Sequence, residues 1–517
     1  MTLRMEVGAP KAPSPDDEQH ASYYTSLLDI EERWDGDPSS EVLRAWRGQR
    51  TAEVTDWVRA RSPFYAERLG REREAAGGTF FTTKDDLVTA GLSVLSGPVG
   101  EAQVYYETTG TTGPPTPCPR SSLEVAVSNR GLIRAWQEML ARRFPGERPF
   151  VAVMGPSELY AFGDVFGNVA QSCGLGHVKV WPDSPRVGFA KALRLLRQLA
   201  VSVVVCAPSM VLELAREVLR AGHDPADLPV SQFLVLGEVC TPEFRRNAET
   251  LWPQARVGPG MYGSQEAMCI AGGWPDGRLR LSELNYSAEL VDPGTGEPVT
   301  GDTGELVVTM LTPGVKPLIR YRTGDLVRFD PWTPGNLPGR ALTVLGRAKD
   351  DVRFADGRSV TAYDLEEAAL EGLERCLGYQ IVLDHRATAA GPPADLLTLR
   401  LRFADPAPGR DHWAAAAGRM TALTGAEVRV EVVDDLEPRT QQGAQISWKA
   451  PRGAPRPPRG AGGGGGGGRR RGPPPPAGAG GGGGGGPPPH ARTQQGSLIS
   501  WKAARVADRR PGPVRAP

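Results

Sequence analysis

The stretch TTGTTGPPTPCPR at 108–120 sets five threonines and two glycines just after the strand-like run QVYYE. Glycine leaves backbone N–H groups open to close approach, and the threonines add hydroxyls, which together is what a polyphosphate needs. The stretch lacks the G-K-[ST] of a Walker loop, and Gly/Thr loops are also common as plain turns. Three further stretches follow it in order: MYGSQEA at 261–267, YRTGD at 321–325 and GRAKDD at 346–351. Taken singly, Tyr262 reads as a core aromatic, Glu266 as a solvated acid at a helix start, Asp325 as a turn cap and Arg347 as a surface charge. Their joint order and spacing favour a functional reading.

The elements that must hold these residues follow from the rest of the chain. With 517 residues, 40% hydrophobic and 23% charged, the chain has material for two or three domains. Its zero net charge hides an asymmetry: the last 67 residues carry twelve Lys/Arg and one acid, whereas the first 450 carry 48 basic and 59 acidic groups. An acidic body speaks against nucleic acid as a partner. Six cysteines at 118, 173, 206, 240, 269 and 376 form no C-x-x-C pair, a pattern of buried thiols in a reducing compartment. The N-terminus lacks the apolar segment of a secretory signal, and no run approaches the ~20 apolar residues of a membrane span. The expectation is a cytoplasmic protein with no membrane partner and no assigned oligomeric state, a homodimer being left open.

Residues 1–25 are polar and expected to lack structure. Apolar residues at helical spacing between about 27 and 73 predict two helices, and TFFTTKDDL predicts a capped helix start. From 103 to 345, β-branched runs (PFVAVMG, HVKVWP, VSVVVCAP, QFLVLGE) alternate with helix-like segments, which predicts an α/β domain with a largely parallel sheet. A strand–turn–strand pattern follows in AELVDPGTGEPVTGDTGELVVTML, and a small α+β module at 346–450. The Gly/Pro/Arg-rich run at 451–491 reads as a linker. On either side of it stand near-copies, RTQQGAQISWKA at 439–450 and RTQQGSLISWKA at 492–503, offset by 53 residues. Two copies are too few for a repeat fold, and a local duplication or an error in the deduced sequence explains the pair better than a functional second element.

In their order, the four motifs resemble those of the adenylate-forming superfamily of acyl-CoA synthetases, adenylation domains and luciferases. The match is best to the phenylacetate–CoA ligase branch, whose glycine loop often carries threonine in place of lysine, as at Thr116. SPFYAERL, FTTKDDL, APS at 207–209, LGE at 236–238 and LIRYRTGDL agree, so the resemblance spans about 45 to 440. It implies an α/β fold with a large AMP-binding domain at 26–345, a small mobile C-terminal domain at 346–450 and a tail at 492–517. It also implies roles. Thr108, Thr109, Gly110, Thr111, Thr112 and Gly113 would cradle the ATP phosphates. Glu238 would border the adenine and Tyr262 stack on it. Glu266 would hold Mg²⁺, Asp325 would accept the ribose hydroxyls, and Arg347 would reach the ribose or phosphates.

The implied chemistry has two halves. A carboxylate attacks the α-phosphate of ATP, giving an acyl-adenylate and pyrophosphate; a thiol, coenzyme A in this branch, then displaces AMP. Between the halves the small domain would turn about Lys349, with Asp350 beside it. The family's final motif supplies a lysine for the first half, and this chain departs from it by offering two, Lys449 in ISWKAPR and Lys502 in ISWKAAR. Tyr160, Phe162 and Asp164 are candidate pocket residues for the small-molecule acid. The aromatics suit an aryl acid or plain core packing, and Asp164 either meets a substrate amine or ends a helix. A non-CoA acceptor (an amine, a carrier-protein thiol or a nitrogen oxyacid) and a non-catalytic nucleotide-binding scaffold are the alternatives.

Overall fold

The computed structural model describes residues 15–74, 80–108, 114–334, 337–386, 394–404, 409–436 and 506–508. Four helices open the chain: α1 (Pro15–Arg33), α2 (Glu41–Arg61), α3 (Pro63–Glu74) and α4 (Lys84–Ala90). Helix α1 begins inside the stretch 1–25 that was expected to lack structure. The reason is spacing: Tyr23, Leu27 and Ile30 lie on one face and are buried against Leu43 and Trp46 of α2 and against Leu123 and Val127. A mostly polar composition does not prevent a helix whose few apolar residues share a face. Helix α4 starts as its sequence predicts, with a reciprocal capping box between Thr83 and Asp86.

Strands β1 (Val104–Glu107) and β2 (Pro117–Arg120) form an antiparallel hairpin whose tip is the glycine loop, and α5 (Ser122–Arg143) follows. The alternating region then folds as expected. Strands β3 (Phe150–Met154), β4 (His177–Lys179), β5 (Val201–Cys206), β6 (Gln232–Val235) and β7 (Arg256–Pro259) make a parallel sheet in the order β4-β3-β5-β6-β7. Its crossovers are α6 (Ala161–Ser172), α7 (Gly188–Gln198), α8 (Pro208–Arg220) and α9 (Pro242–Leu251). The near-continuous apolar run of β5 reflects helices on both faces of this sheet: Val204 and Cys206 belong to one buried cluster, Val203 and Val205 to another.

The chain next switches to an antiparallel sheet of seven strands: β8 (Met261–Ser264), β9 (Met268–Gly273), β10 (Leu279–Leu281), β11 (Tyr286–Val291), β12 (Thr303–Met310), β13 (Tyr321–Phe329) and β14 (Ala341–Arg347). Their order is β11-β12-β13-β14-β10-β9-β8. This order sets β13 beside β14, bringing Asp325 opposite Arg347.

A 3₁₀ turn at Ala348–Asp350 leads into the small domain, which contains β15 (Val352–Arg353), β16 (Ser359–Val360), α10 (Ala362–Leu370), β17 (Cys376–Arg386), β18 (Ala394–Phe403), α11 (Arg410–Thr424) and β19 (Glu427–Val432). Here the expected boundaries need correction. The sheet has a fourth strand, β20 (Val506–Asp508), which pairs parallel to β17 with Val506 opposite Ile381. The small domain therefore draws on residues well beyond 450, since 506–508 belong to its sheet. The cue was present in ARVADRR but too short to read as a strand by periodicity.

The small domain packs on α8 and α9, and one buried cluster joins Phe244 and Trp252 to Leu365, Tyr379 and Ile381. Asn247 exchanges two hydrogen bonds with the Cys376 backbone, donating to its carbonyl at 2.9 Å and accepting from its N–H at 2.8 Å. Arg402 reaches Glu213 of α8 at 3.1 Å.

Candidate active site

Backbone geometry assembles the site first. At the base of the hairpin, Thr108 N–H donates to the Thr116 carbonyl (3.1 Å) and Thr116 N–H donates to the Thr108 hydroxyl (2.8 Å). This clasp fixes both ends of the loop, of which Thr109, Gly110, Thr111, Thr112 and Gly113 lie outside the described residues. The motif at 261–267 forms strand β8 and the tight turn into β9. A Cβ on Gly263 would fall on the Met268 carbonyl, so glycine is required there. Arg120 is fully buried and donates to the carbonyls of Gln265 (3.1 Å) and Glu266, holding this turn against the hairpin. Its charge is met by Glu124 at 3.0 Å. Gln265 ties the same turn to the hairpin and to α6, donating to the Glu107 carbonyl (3.1 Å) and accepting from Ala161 N–H (3.2 Å).

The polar side chains converge on one cavity of about 1130 Å³. Asp325 accepts from the Tyr262 hydroxyl at 2.8 Å on one oxygen and from Arg347 Nε at 2.8 Å on the other. Burial and then the Asp325 carboxylate push the Tyr262 hydroxyl well above its ordinary pKa, so it stays a donor at neutral pH. The same carboxylate raises the pKa of Arg347. Glu266 is 5% exposed and faces the cavity, with Lys84 Nζ 3.9 Å from its carboxylate. Glu238 also lines the cavity, its carboxylate anchored by Ser209 N–H (2.9 Å) and hydroxyl (2.8 Å) at the start of α8.

The same cavity is also lined by aromatic and apolar side chains, Tyr106, Tyr160, Phe162, Val165, Phe166 and Met261, so Tyr160 and Phe162 both face it. Asp164 is not on the lining. It pairs with Lys179 at 2.6 Å and accepts from the Tyr106 hydroxyl at 3.2 Å, because α6 turns it toward the edge strand β4. Its charge is already met by Lys179, which removes the reading of Asp164 as a free receptor for a substrate amine. Lys349 and Asp350 lie in the 3₁₀ turn between the domains and line the cavity, as do Tyr363 and Tyr379 of the small domain.

These relations match a known family. Residues 101–314 match the family model described as AMP-binding enzyme. The chain belongs to the adenylate-forming superfamily, on its phenylacetate–CoA ligase-like branch. It is an AMP-forming ligase of that branch. It is 28% identical over 379 residues to the phenylacetate-coenzyme A ligase of Thermus thermophilus, covering 67% of this chain and 80% of that one. To the corresponding ligase of Pseudomonas putida it is 29% identical over 324 residues, covering 59% and 68%. The fold is shared with a crystal structure of 2-hydroxyisobutyryl-CoA ligase in the postadenylation state, at a TM-score of 0.64 and 19% identity over 77% of this chain and 87% of that one.

Sequence reasoning missed several members of the enzyme's site. Lys84 opens α4 and reaches Glu266 from outside the motif set, its only local signal being the FTTKDDL resemblance. Arg120 and Gln265 stood inside quoted motifs without a role, since their work is to hold backbone carbonyls and N–H groups that no pattern reveals. Cys118, taken as a packing residue, is buried but has a polar neighbour, Lys316. Lys449 and Lys502 lie outside the described residues. Among the described residues no helix is long and apolar enough to cross a membrane.

Proposed function

We propose that this enzyme converts an aryl or arylacetic acid to its coenzyme A thioester through an acyl-adenylate, using ATP and Mg²⁺. The observation that carries the proposal is that one cavity is lined both by nucleotide-type groups (Glu266, Asp325, Arg347, Tyr262) and by aromatic rings (Phe162, Phe166). A carboxylic acid lying along it has its flat body among the aromatics and its carboxylate toward the phosphate loop. The relatives named as phenylacetate-coenzyme A ligases support the acid class.

Each step follows from the site. Thr108 and the loop it begins bind the ATP phosphates, Asp325 takes the ribose hydroxyls, and Tyr262 borders the adenine with the Glu238 segment. Mg²⁺ fits Glu266: a single carboxylate facing the cavity, with Lys84 Nζ 3.9 Å away, suits a cation that arrives with phosphate oxygens of its own. Among the described residues no group of three acid, His or Cys side chains makes a self-sufficient metal cage. When bound, the ion offsets charge on the phosphates. Attack by the acid at the α-phosphate is then a matter of alignment and charge compensation. Turning of the small domain about Lys349 opens the adenylate to the CoA thiol.

Pyrophosphate exchange across a panel of acids, followed by CoA-dependent AMP release, tests the reading. Exchange with arylacetic acids and CoA-dependent turnover are expected; turnover with an amine or carrier protein and none with CoA would move the protein to a different acceptor. Phe162→Ala is expected to lower kcat/KM for arylacetic acids by roughly 10- to 100-fold, while short aliphatic acids lose little, since the lost apolar surface serves only the ring. Lys349→Pro is expected to slow thioester formation at least about tenfold and to spare adenylation, because fixing φ at the hinge blocks a rotation that only the second half needs. Unchanged rates of both halves would remove the hinge from Lys349.

A further inference from the structure

Lys316 is fully buried in the segment between β12 and β13, and nothing above gives it a role. Its backbone is fixed on both sides: its N–H donates to Glu124 at 3.3 Å and its carbonyl accepts from Arg120 at 2.9 Å. The side chain is thereby aimed at the hairpin, where Nζ lies 2.9 Å from Cys118 Sγ. Among the described residues this sulfur is its sole hydrogen-bond partner, and no carboxylate lies within ion-pair distance of it. The neighbouring buried cation, Arg120, is by contrast balanced by Glu124. A buried ammonium whose sole hydrogen bond goes to a thiol is costly: burial lowers its pKa, with Cys118 and the field of the Glu266 carboxylate opposing the shift.

We infer that Lys316 supplies the buried positive charge of the nucleotide's phosphate end, with a polyphosphate as the anion that completes it. This inference rests on the nucleotide reading of the cavity. The contacts run in one direction: from Nζ to Cys118, from Cys118 Sγ to the Thr116 carbonyl at 3.4 Å, and from Thr116 N–H to the hydroxyl of Thr108, which lines the cavity beside Glu266. Among the described residues the Thr116 hydroxyl is buried and has no hydrogen-bond partner. Tyr321 lies in the field of Glu266, Arg347, Asp325 and Cys118 alike, which places the Lys–Cys pair within the electrostatics of the same site. A charge embedded in low-dielectric protein acts over several ångströms with little screening. Lys316 is therefore a positioning residue that acts through the hairpin, and it takes over from below the service that a loop lysine gives elsewhere. Stability alone gives no reason for it, since an apolar side chain of similar length would fill the space without burying a charge.

The test uses the full chain and the variants Lys316→Met and Lys316→Gln, with Mg·ATP and pyrophosphate titrated calorimetrically. Lys316→Met is expected to melt at or above the parent temperature, yet to bind Mg·ATP and pyrophosphate about tenfold more weakly. KM for ATP should rise in step while KM for the acid stays put, a split that a packing role would not produce. Undiminished nucleotide affinity in a folded variant overturns the inference, as does failure of both variants to fold, which would make the lysine structural. Should the parent protein bind neither Mg·ATP nor pyrophosphate, the nucleotide reading itself fails and this inference falls with it.

Discussion

Lys502→Ala is expected to lower adenylate formation by roughly 10²–10³-fold, and Lys449→Ala to leave it within about twofold, as removal of one preorganised charge from a transition state does or does not. The two lysines sit in near-identical sequence, so local chemistry does not separate them. Tethering does. Strand β20 fixes Val506 beside Ile381, and Ile381 and Tyr379 both line the cavity. Lys502 precedes Val506 by four residues, a fully extended reach of roughly 14 Å. Lys449 follows the last described residue of the preceding segment, Leu436, by thirteen residues, a reach of roughly 45 Å. The duplicated arrangement thus favours the copy whose continuation is a strand. Pyrophosphate exchange with each single variant measures this directly. Deleting residues 439–491, which joins Pro438 to the second copy, is expected to keep exchange near the parent level. Loss on Lys449→Ala with activity retained on Lys502→Ala would reverse the assignment.

What the chain shows without a structure is uneven, for physical reasons. Period-2 and period-3.6 patterns are local, so the strands at 150–154 and 201–206 and the helices between them were legible from β-branched runs and spaced leucines. The motifs were legible because each packs its residues into a short run; that Asp325 and Arg347 pair with each other, through adjacent strands β13 and β14, was not. Long-range relations were not legible. Nothing near Asp164 announces Lys179, fifteen residues on and in another element, as the group that neutralises it. Nothing near Lys316 announces Cys118, which is 198 residues away. Helix α1 escaped for a different reason: its three core contacts are diluted among polar residues, and composition averages away what a single face retains.

Glu266→Gln carries the second large effect, an expected fall in kcat for adenylation of roughly 10²–10³-fold with the thermal midpoint nearly unchanged. The turn that presents Glu266 is held through its backbone, by Arg120 on the carbonyls of residues 265 and 266 and by the side chain of Gln265, so an isosteric amide leaves the scaffold in place. What changes is the oxygen donor. An amide carries no charge to hold a hard divalent cation against the phosphates, and it also leaves Lys84, 3.9 Å away, without its carboxylate neighbour. The two consequences oppose each other: freed of Glu266, Lys84 is better placed to attract ATP phosphate, while the metal is held worse. KM for ATP should therefore move little even as kcat falls, and the Mg²⁺ concentration needed for half-maximal rate should rise. A double variant with Lys84→Met separates the two, because it removes the compensating cation and should raise KM for ATP on top of the loss in kcat. An unaltered Mg²⁺ dependence in Glu266→Gln would detach the carboxylate from the metal and leave it as a counter-charge to Lys84 alone.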